Sequence, residues 1–266
     1  MRSIAVALAS LFGFYLLLVI ALFFMQRGMI YPAPKEVASL PAGFEEVQFE
    51  TADGLTLKAA YRAGRDGRPV AVFFHGNGDS WDGASQATLL LAQAGYGVLL
   101  PEYRGYGGNP GSPDEDGLYA DGRAALEFLT KQGVGPGGTV LIGNSLGSGV
   151  AVQMATEYRP AALVLIAAFS SLPDVAAERF AWLPARMLLH DSYANIDKIG
   201  TVDVPMLILH GDQDRVVPFS HGQRLAEQAN ATEFIAFPGM GHELPYTEEA
   251  QQAVRDWLPT IPRLTR

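Results

Sequence analysis

The chain has 266 residues, 48% of them hydrophobic, enough for one sizeable core in a domain of roughly 230 residues behind an N-terminal segment. A net charge of −9 with no Lys/Arg cluster argues against a nucleic-acid partner. The absence of cysteine excludes disulfides, thiolate metal sites and cysteine nucleophiles, and leaves the redox compartment open.

From Ile4 to Met25 no residue is charged. About 22 apolar or small residues cross a ~30 Å hydrocarbon layer as a helix. A cleavable signal peptide has a shorter apolar region and a small-residue cleavage site after it, whereas this run ends in Phe23-Phe24-Met25-Gln26-Arg27. An uncleaved transmembrane signal-anchor over residues 1–28 is therefore expected. Arg2 and the amino terminus place the N-terminus in the cytoplasm by the positive-inside rule, which puts the domain on the non-cytoplasmic side, periplasmic if the source is bacterial. A proline-containing linker, 29–43, leads into a domain expected over 44–262.

The domain opens with Glu46–Phe49 and Leu55–Tyr61 around Asp53-Gly54, an antiparallel hairpin. Six short apolar runs follow: Val70–Phe74, Val98–Leu100, Val140–Ile142, Leu163–Ile166, Met206–Leu209 and Phe234–Phe237. Such runs suit parallel strands buried on both faces. Helix-length segments separate most of them: 84–94, 116–131, 146–158, 221–229 and 247–257. The alternation predicts an α/β fold with a mostly parallel central sheet and helices on both faces. Between Phe169 and Val204 there is no strand. A short helical lid is expected over about 170–200, with helices starting near Asp174 and Arg186, broken at Trp182-Leu183-Pro184. Its apolar residues Phe180, Trp182, Leu183, Met187 and Leu188 either line a pocket for a nonpolar group or pack the insert onto the body.

Gly143-Asn144-Ser145-Leu146-Gly147 follows the apolar run at 139–142, the pattern of a nucleophile elbow. A sharp strand-to-helix turn holds the serine backbone under strain, and flanking glycines avoid collision with the neighbouring strand and helix. A serine hydroxyl needs a base, and the base needs a carboxylate to hold its tautomer. Of the five histidines, His75 and His210 end strands and read as turn residues, His190 falls in the lid and His221 at the start of a surface helix. His242, in the glycine-rich loop after the last strand, is the expected base. Asp212 and Asp214 compete for the acid. Asp214, deeper in its loop, is preferred, the rival reading being an aspartate that caps local backbone. Two backbone N–H groups are needed for the oxyanion. Leu146, at a helix start, and Asn77, in His75-Gly76-Asn77-Gly78, are the candidates. Arg104 is expected to brace its loop through Glu102 or Asp121.

With these motifs, together with Tyr103-Arg104-Gly105-Tyr106-Gly107, His210-Gly211-Asp212-Gln213-Asp214 and Gly241-His242, the chain resembles the α/β-hydrolase superfamily. It is most similar to the membrane-anchored BEM46-like branch, which includes alpha/beta hydrolase domain-containing proteins 13 and 17. The resemblance covers roughly 44–258, is specific for the fold and says little about substrate. It implies an α/β-hydrolase fold, Asp214 at the acid position and Asn77 and Leu146 at the oxyanion positions. Two residues depart from the pattern: Glu102 stands where aspartate is usual, and Asn144 where a larger residue is common, which points to an altered entrance. The expectation is a membrane-tethered serine hydrolase cleaving a carboxylic ester or thioester, its substrate small or acylated and lipid-like. A serine peptidase on the same fold is the alternative, and a non-catalytic membrane-bound binding protein a more distant one. The sequence calls for no metal or cofactor, and its oligomeric state is not legible.

Overall fold

The computed structural model describes residues 2–230 and 232–261. The expected domain boundary at 262 and the first residue of the expected anchor lie outside the described residues.

Helix α1 (Arg2–Ile30) is a single 29-residue helix, long and apolar enough to cross a membrane. Leu8, Phe12, Phe14 and Leu17 stand exposed along it. The chain after it is pinned down rather than loose. Tyr31 is buried and donates to Asp191 Oδ2 at 2.9 Å, Gly107 N–H donates to Pro34 O, and Trp81 Nε1–H donates to Ala38 O.

Strands β1 (Glu45–Glu50) and β2 (Thr56–Arg62) form the expected hairpin, with Glu45 opposite Tyr61. Then come β3 (Val70–Phe74), α2 (Trp81–Ala87), α3 (Leu89–Gln93), β4 (Gly97–Pro101), α4 (Glu115–Lys131), β5 (Thr139–Asn144) and α5 (Leu146–Tyr158). After β6 (Ala162–Ile166) lie α6 (Leu172–Arg179), α7 (Ala185–Leu188) and α8 (Asn195–Ile199), then β7 (Met206–Gly211), α9 (Phe219–Gln228), β8 (Thr232–Phe237) and α10 (Glu248–Trp257). The helix expected over 84–94 is two helices, because Thr88 leaves helical geometry (φ −109°, ψ 9°) while its Oγ1 donates to Ala84 O.

The eight strands make one sheet, in the order β1-β2-β4-β3-β5-β6-β7-β8. The strands from β3 to β8 run parallel to their neighbours, while β2 joins β4 antiparallel. Successive side chains enter opposite layers, as the two-residue period of a strand demands. Val70, Val72 and Phe74 of β3 pack with α4, α5, α8 and α9 on one face, and Ala71 and Phe73 with α2, α3 and α10 on the other. Five of the six apolar runs are buried on both faces. The sixth, β8, is half-exposed, because it is the edge strand. The carboxyl ends of β5, β7 and β8 meet at one edge, where ligands of open α/β sheets bind.

The lid segment divides in two. Ser171 caps α6 by accepting from Asp174 N–H. Beyond Leu189 the chain returns to the body, with Tyr193 fully buried and Asn195 Nδ2 donating to Phe169 O.

Candidate active site

Ser145 joins β5 to α5 with φ 49° and ψ −117°, a region that side chains rarely adopt and that costs of order 1–3 kcal/mol. The surroundings enforce it. Ser145 N–H donates to Ile166 O at 3.0 Å on the neighbouring strand. A Cβ on Gly143 would lie 2.6 Å from Ala151 Cβ, and one on Gly147 would collide with Phe74 O. The two glycines are thus required by the close approach of α5 to β3 and β5.

His242 Nε2 lies 3.0 Å from Ser145 Oγ, and His242 Nδ1 lies 2.7 Å from Asp214 Oδ2. The three residues expected to act together are brought together from three separate loops. Asp214 is buried, and its second oxygen accepts from Val216 N–H at 2.7 Å and Val217 N–H at 2.9 Å. Burial pushes the Asp214 carboxyl up, but the His242 imidazole and those two N–H groups outweigh it and hold the group below the usual carboxylate range. An ionised Asp214 therefore keeps a proton on His242 Nδ1 and leaves Nε2 free to accept from the serine.

Asp212, the rival acid, is exposed and accepts from Gly239 N–H at 2.7 Å, the local backbone role weighed against it. That bond ties the β7 loop to the loop carrying His242, as does Gln213 N–H to Met240 O. His210, read as a turn residue, lies instead within β7 and is a buried brace: Nε2–H donates to Val217 O at 3.0 Å, and burial pushes its pKa down. His221 departs from expectation. It is fully buried, not on the surface, and its Nδ1 lies 2.8 Å from Ser170 Oγ, which links α9 to the root of the lid.

Leu146 is buried at the first position of α5, and Asn77 sits exposed on the rim, its Nδ2 donating to Ile30 O at 3.3 Å. Both line the same cavity as Ser145. His75, fully buried, follows β3 directly and precedes the turn at Asn77-Gly78 rather than forming it, its Nδ1 2.8 Å from Gly76 O. Glu102 lies beneath it, accepting from Trp81 N–H with a carboxyl pushed up by burial. Asn144 does not shape the entrance: it is buried beside Gly76 and is not among the residues lining the cavity. Arg104 braces its loop as expected, through Asp121 (2.8 Å) and through Asp53 (2.8 and 3.1 Å) rather than Glu102. The guanidinium holds the Asp53 carboxyl at about 2.

The cavity over Ser145 measures about 370 Å³, within the range of small-molecule sites. Of the five lid residues for which lining a pocket and packing the insert were both open, Phe180, Leu183 and Leu188 line the cavity, whereas Trp182 and Met187 point outward, 52% and 87% exposed. Another wall was not foreseen. Leu22, Phe23, Gln26, Met29 and Ile30 of α1 face the same space. The one available signal was Gln26, a lone amide in an apolar run. It is buried, donates to Leu188 O at 3.2 Å and accepts from His190 N–H at 2.9 Å.

A mostly parallel sheet with a strained serine at a strand–helix turn, facing an imidazole and a carboxylate from later loops, defines an α/β hydrolase. The family described as "Alpha/beta hydrolase family" matches residues 71–198, and the chain belongs to that family. An uncharacterised protein of Mycobacterium tuberculosis is 43% identical over 232 residues, 83% of this chain and 81% of the relative. Alpha/beta hydrolase domain-containing protein 17C of Xenopus tropicalis is 32% identical over 225 residues, 81% and 71% of the two chains. Among solved structures, an esterase of Pyrococcus furiosus superposes with a TM-score of 0.70 at 18% identity, over 86% of this chain and 99% of the other. That last likeness is one of fold.

Proposed function

We propose that the protein is a membrane-tethered serine hydrolase of carboxylic esters or thioesters. The observation that carries this reading is the unbroken contact from Ser145 Oγ through His242 to the ionised Asp214, at the floor of an apolar cavity. Ser145 Oγ attacks the acyl carbonyl carbon as His242 Nε2 takes its proton. The Leu146 and Asn77 N–H groups hold the resulting oxyanion, each such donor being worth about 3 kcal/mol. The imidazolium, steadied by Asp214, returns the proton to the departing alcohol or thiol, leaving an acyl-serine. Water, deprotonated by the same imidazole, releases the acid. The peptidase reading finds no support in the cavity, since no carboxylate is among its lining residues to hold a peptide amino terminus.

Helix α1 serves as the anchor, and the domain lies on the non-cytoplasmic side. A protease added to sealed spheroplasts, whose outer envelope has been removed, digests the domain if this sidedness is right and spares it if reversed. The chemistry is tested on the full-length chain with a fluorophosphonate probe and a p-nitrophenyl butyrate assay, beside Ser145→Ala. Labelling and hydrolysis that both vanish in the variant support the assignment. Equal hydrolysis by the two proteins overturns it.

A further inference from the structure

The anchor helix is longer than a bilayer requires. At 1.5 Å per residue its 29 residues extend about 43 Å, whereas the hydrocarbon core is ~30 Å thick and takes about 20 residues. Counted from Arg2, the helix leaves hydrocarbon near Leu22. The turns beyond that point are those whose Leu22, Phe23, Met29 and Ile30 line the cavity over Ser145. The helix is locked there. Gln26 bridges Leu188 O and His190 N–H, Arg27 lies 3.8 Å from Asp191 and 3.3 Å from Asp114, and the Phe23 ring meets the His190 ring at 4.7 Å.

Lower on the helix, the Tyr15 hydroxyl donates to Trp182 O at 3.0 Å. Tyr15 is seven residues, about 10 Å, below Leu22, so the lid edge reaches the outer hydrocarbon of an upright anchor's bilayer. The side chains at that edge fit such surroundings: Phe180, Trp182 and Met187 are all exposed. Aromatic side chains concentrate at the membrane–water boundary, and interfacial segments sink about 5–10 Å into it.

We propose that the cavity is an acyl-chain slot whose mouth opens sideways into the bilayer between α1 and the α6–α7 lid. The substrate is a membrane-resident ester or thioester whose single apolar chain slides along Leu22 and Met29 to bring its carbonyl to Ser145. This rests on the serine-hydrolase reading above and adds the source and class of the substrate. The volume, about 370 Å³, suits one chain rather than a whole two-chain lipid. A chain passing from hydrocarbon into an apolar slot is never hydrated, so the penalty that each methylene incurs in water does not arise on this route.

The test uses the full-length chain in phosphatidylcholine vesicles, with p-nitrophenyl palmitate in the bilayer and p-nitrophenyl butyrate in solution. The measured quantity is the ratio of kcat/KM for the two, to which partial misfolding is blind because it scales both rates alike. Leu22→Trp and Met29→Trp, which fill the slot, are expected to lower the palmitate/butyrate ratio at least tenfold. Leu17→Trp, on α1 away from the cavity, is expected to keep it within twofold of wild type. A ratio unchanged in both slot variants overturns the proposal, and so does a wild type that hydrolyses butyrate yet spares palmitate. A wild type that neither hydrolyses butyrate nor takes the fluorophosphonate label overturns the hydrolase reading itself.

Discussion

The two sides of the cavity are built differently. On the sheet side, Ser145, Asp214 and His242 stand on short loops at strand ends, held by backbone hydrogen bonds and by glycines that admit no side chain. On the other side, α1 and the lid touch through contacts such as Tyr15–Trp182, separated by 167 positions in the chain, and leave Met187 87% exposed. Chemistry needs atoms placed to within a fraction of an ångström, which close-packed backbone provides. Reception of a flexible apolar chain needs a greasy wall, which the apolar side chains of α1 and the lid provide.

The largest test of this contrast lies within one loop. Asp214→Asn is expected to lower kcat on p-nitrophenyl butyrate about 10⁴-fold by losing the tautomer of the base. Asp212→Asn, two positions away and exposed, should change it by about twofold. Comparable losses from both would show that the loop as a whole, rather than one carboxylate, sets the imidazole.

Next in size is a pair of stability changes. Gly147→Ala puts a methyl group against Phe74 O and should cost about 3 kcal/mol or more. Met187→Ala on the lid edge should stay within about 0.5 kcal/mol. Thermal melts in one detergent compare them, and a lid substitution as costly as the elbow substitution would erase the distinction.

The smallest effect concerns pH. Burial first, then Arg224 on its own helix, pushes the His221 pKa down against the opposing pull of Glu178 and Asp174 from α6, and burial does the same at His210. The folded protein resists protonating both imidazoles, while the unfolded chain protonates them near pH 6.5. Their contribution is thus fully present at higher pH and lost as pH falls through about 6.5, by at most ~1.4 kcal/mol per pH unit for each group. His221→Asn should flatten the fall in Tm between pH 7.5 and 5.5, and an unchanged slope would remove His221 from the account.

The legible parts of the molecule were those written in neighbouring residues. The run 139–142 followed by Gly143-Asn144-Ser145 carries its turn within itself, and the choice of Asp214 over Asp212 followed from loop depth. What escaped was tertiary. His221 reads as a surface position on α9 because nothing nearby announces Ser170, 51 residues earlier, as its partner. Asn144 reads as an entrance residue because its burial against Gly76 depends on how β5 lies beside β3. The α1 wall was hidden because an apolar residue facing lipid and one facing a cavity are the same letter; only Gln26 broke the pattern.

The two hydrogen bonds of Gln26, with Arg27 and Tyr31 converging on Asp191, have a mechanical result. A domain on a loose tether would swivel and sample every height above the membrane. With α1 as the anchor proposed above, a domain keyed to its stalk at these points holds Ser145 at a single altitude over the bilayer plane. Candidate molecules are then sorted by how deep their scissile carbonyl rides, a yardstick that operates before any side chain has gauged their shape.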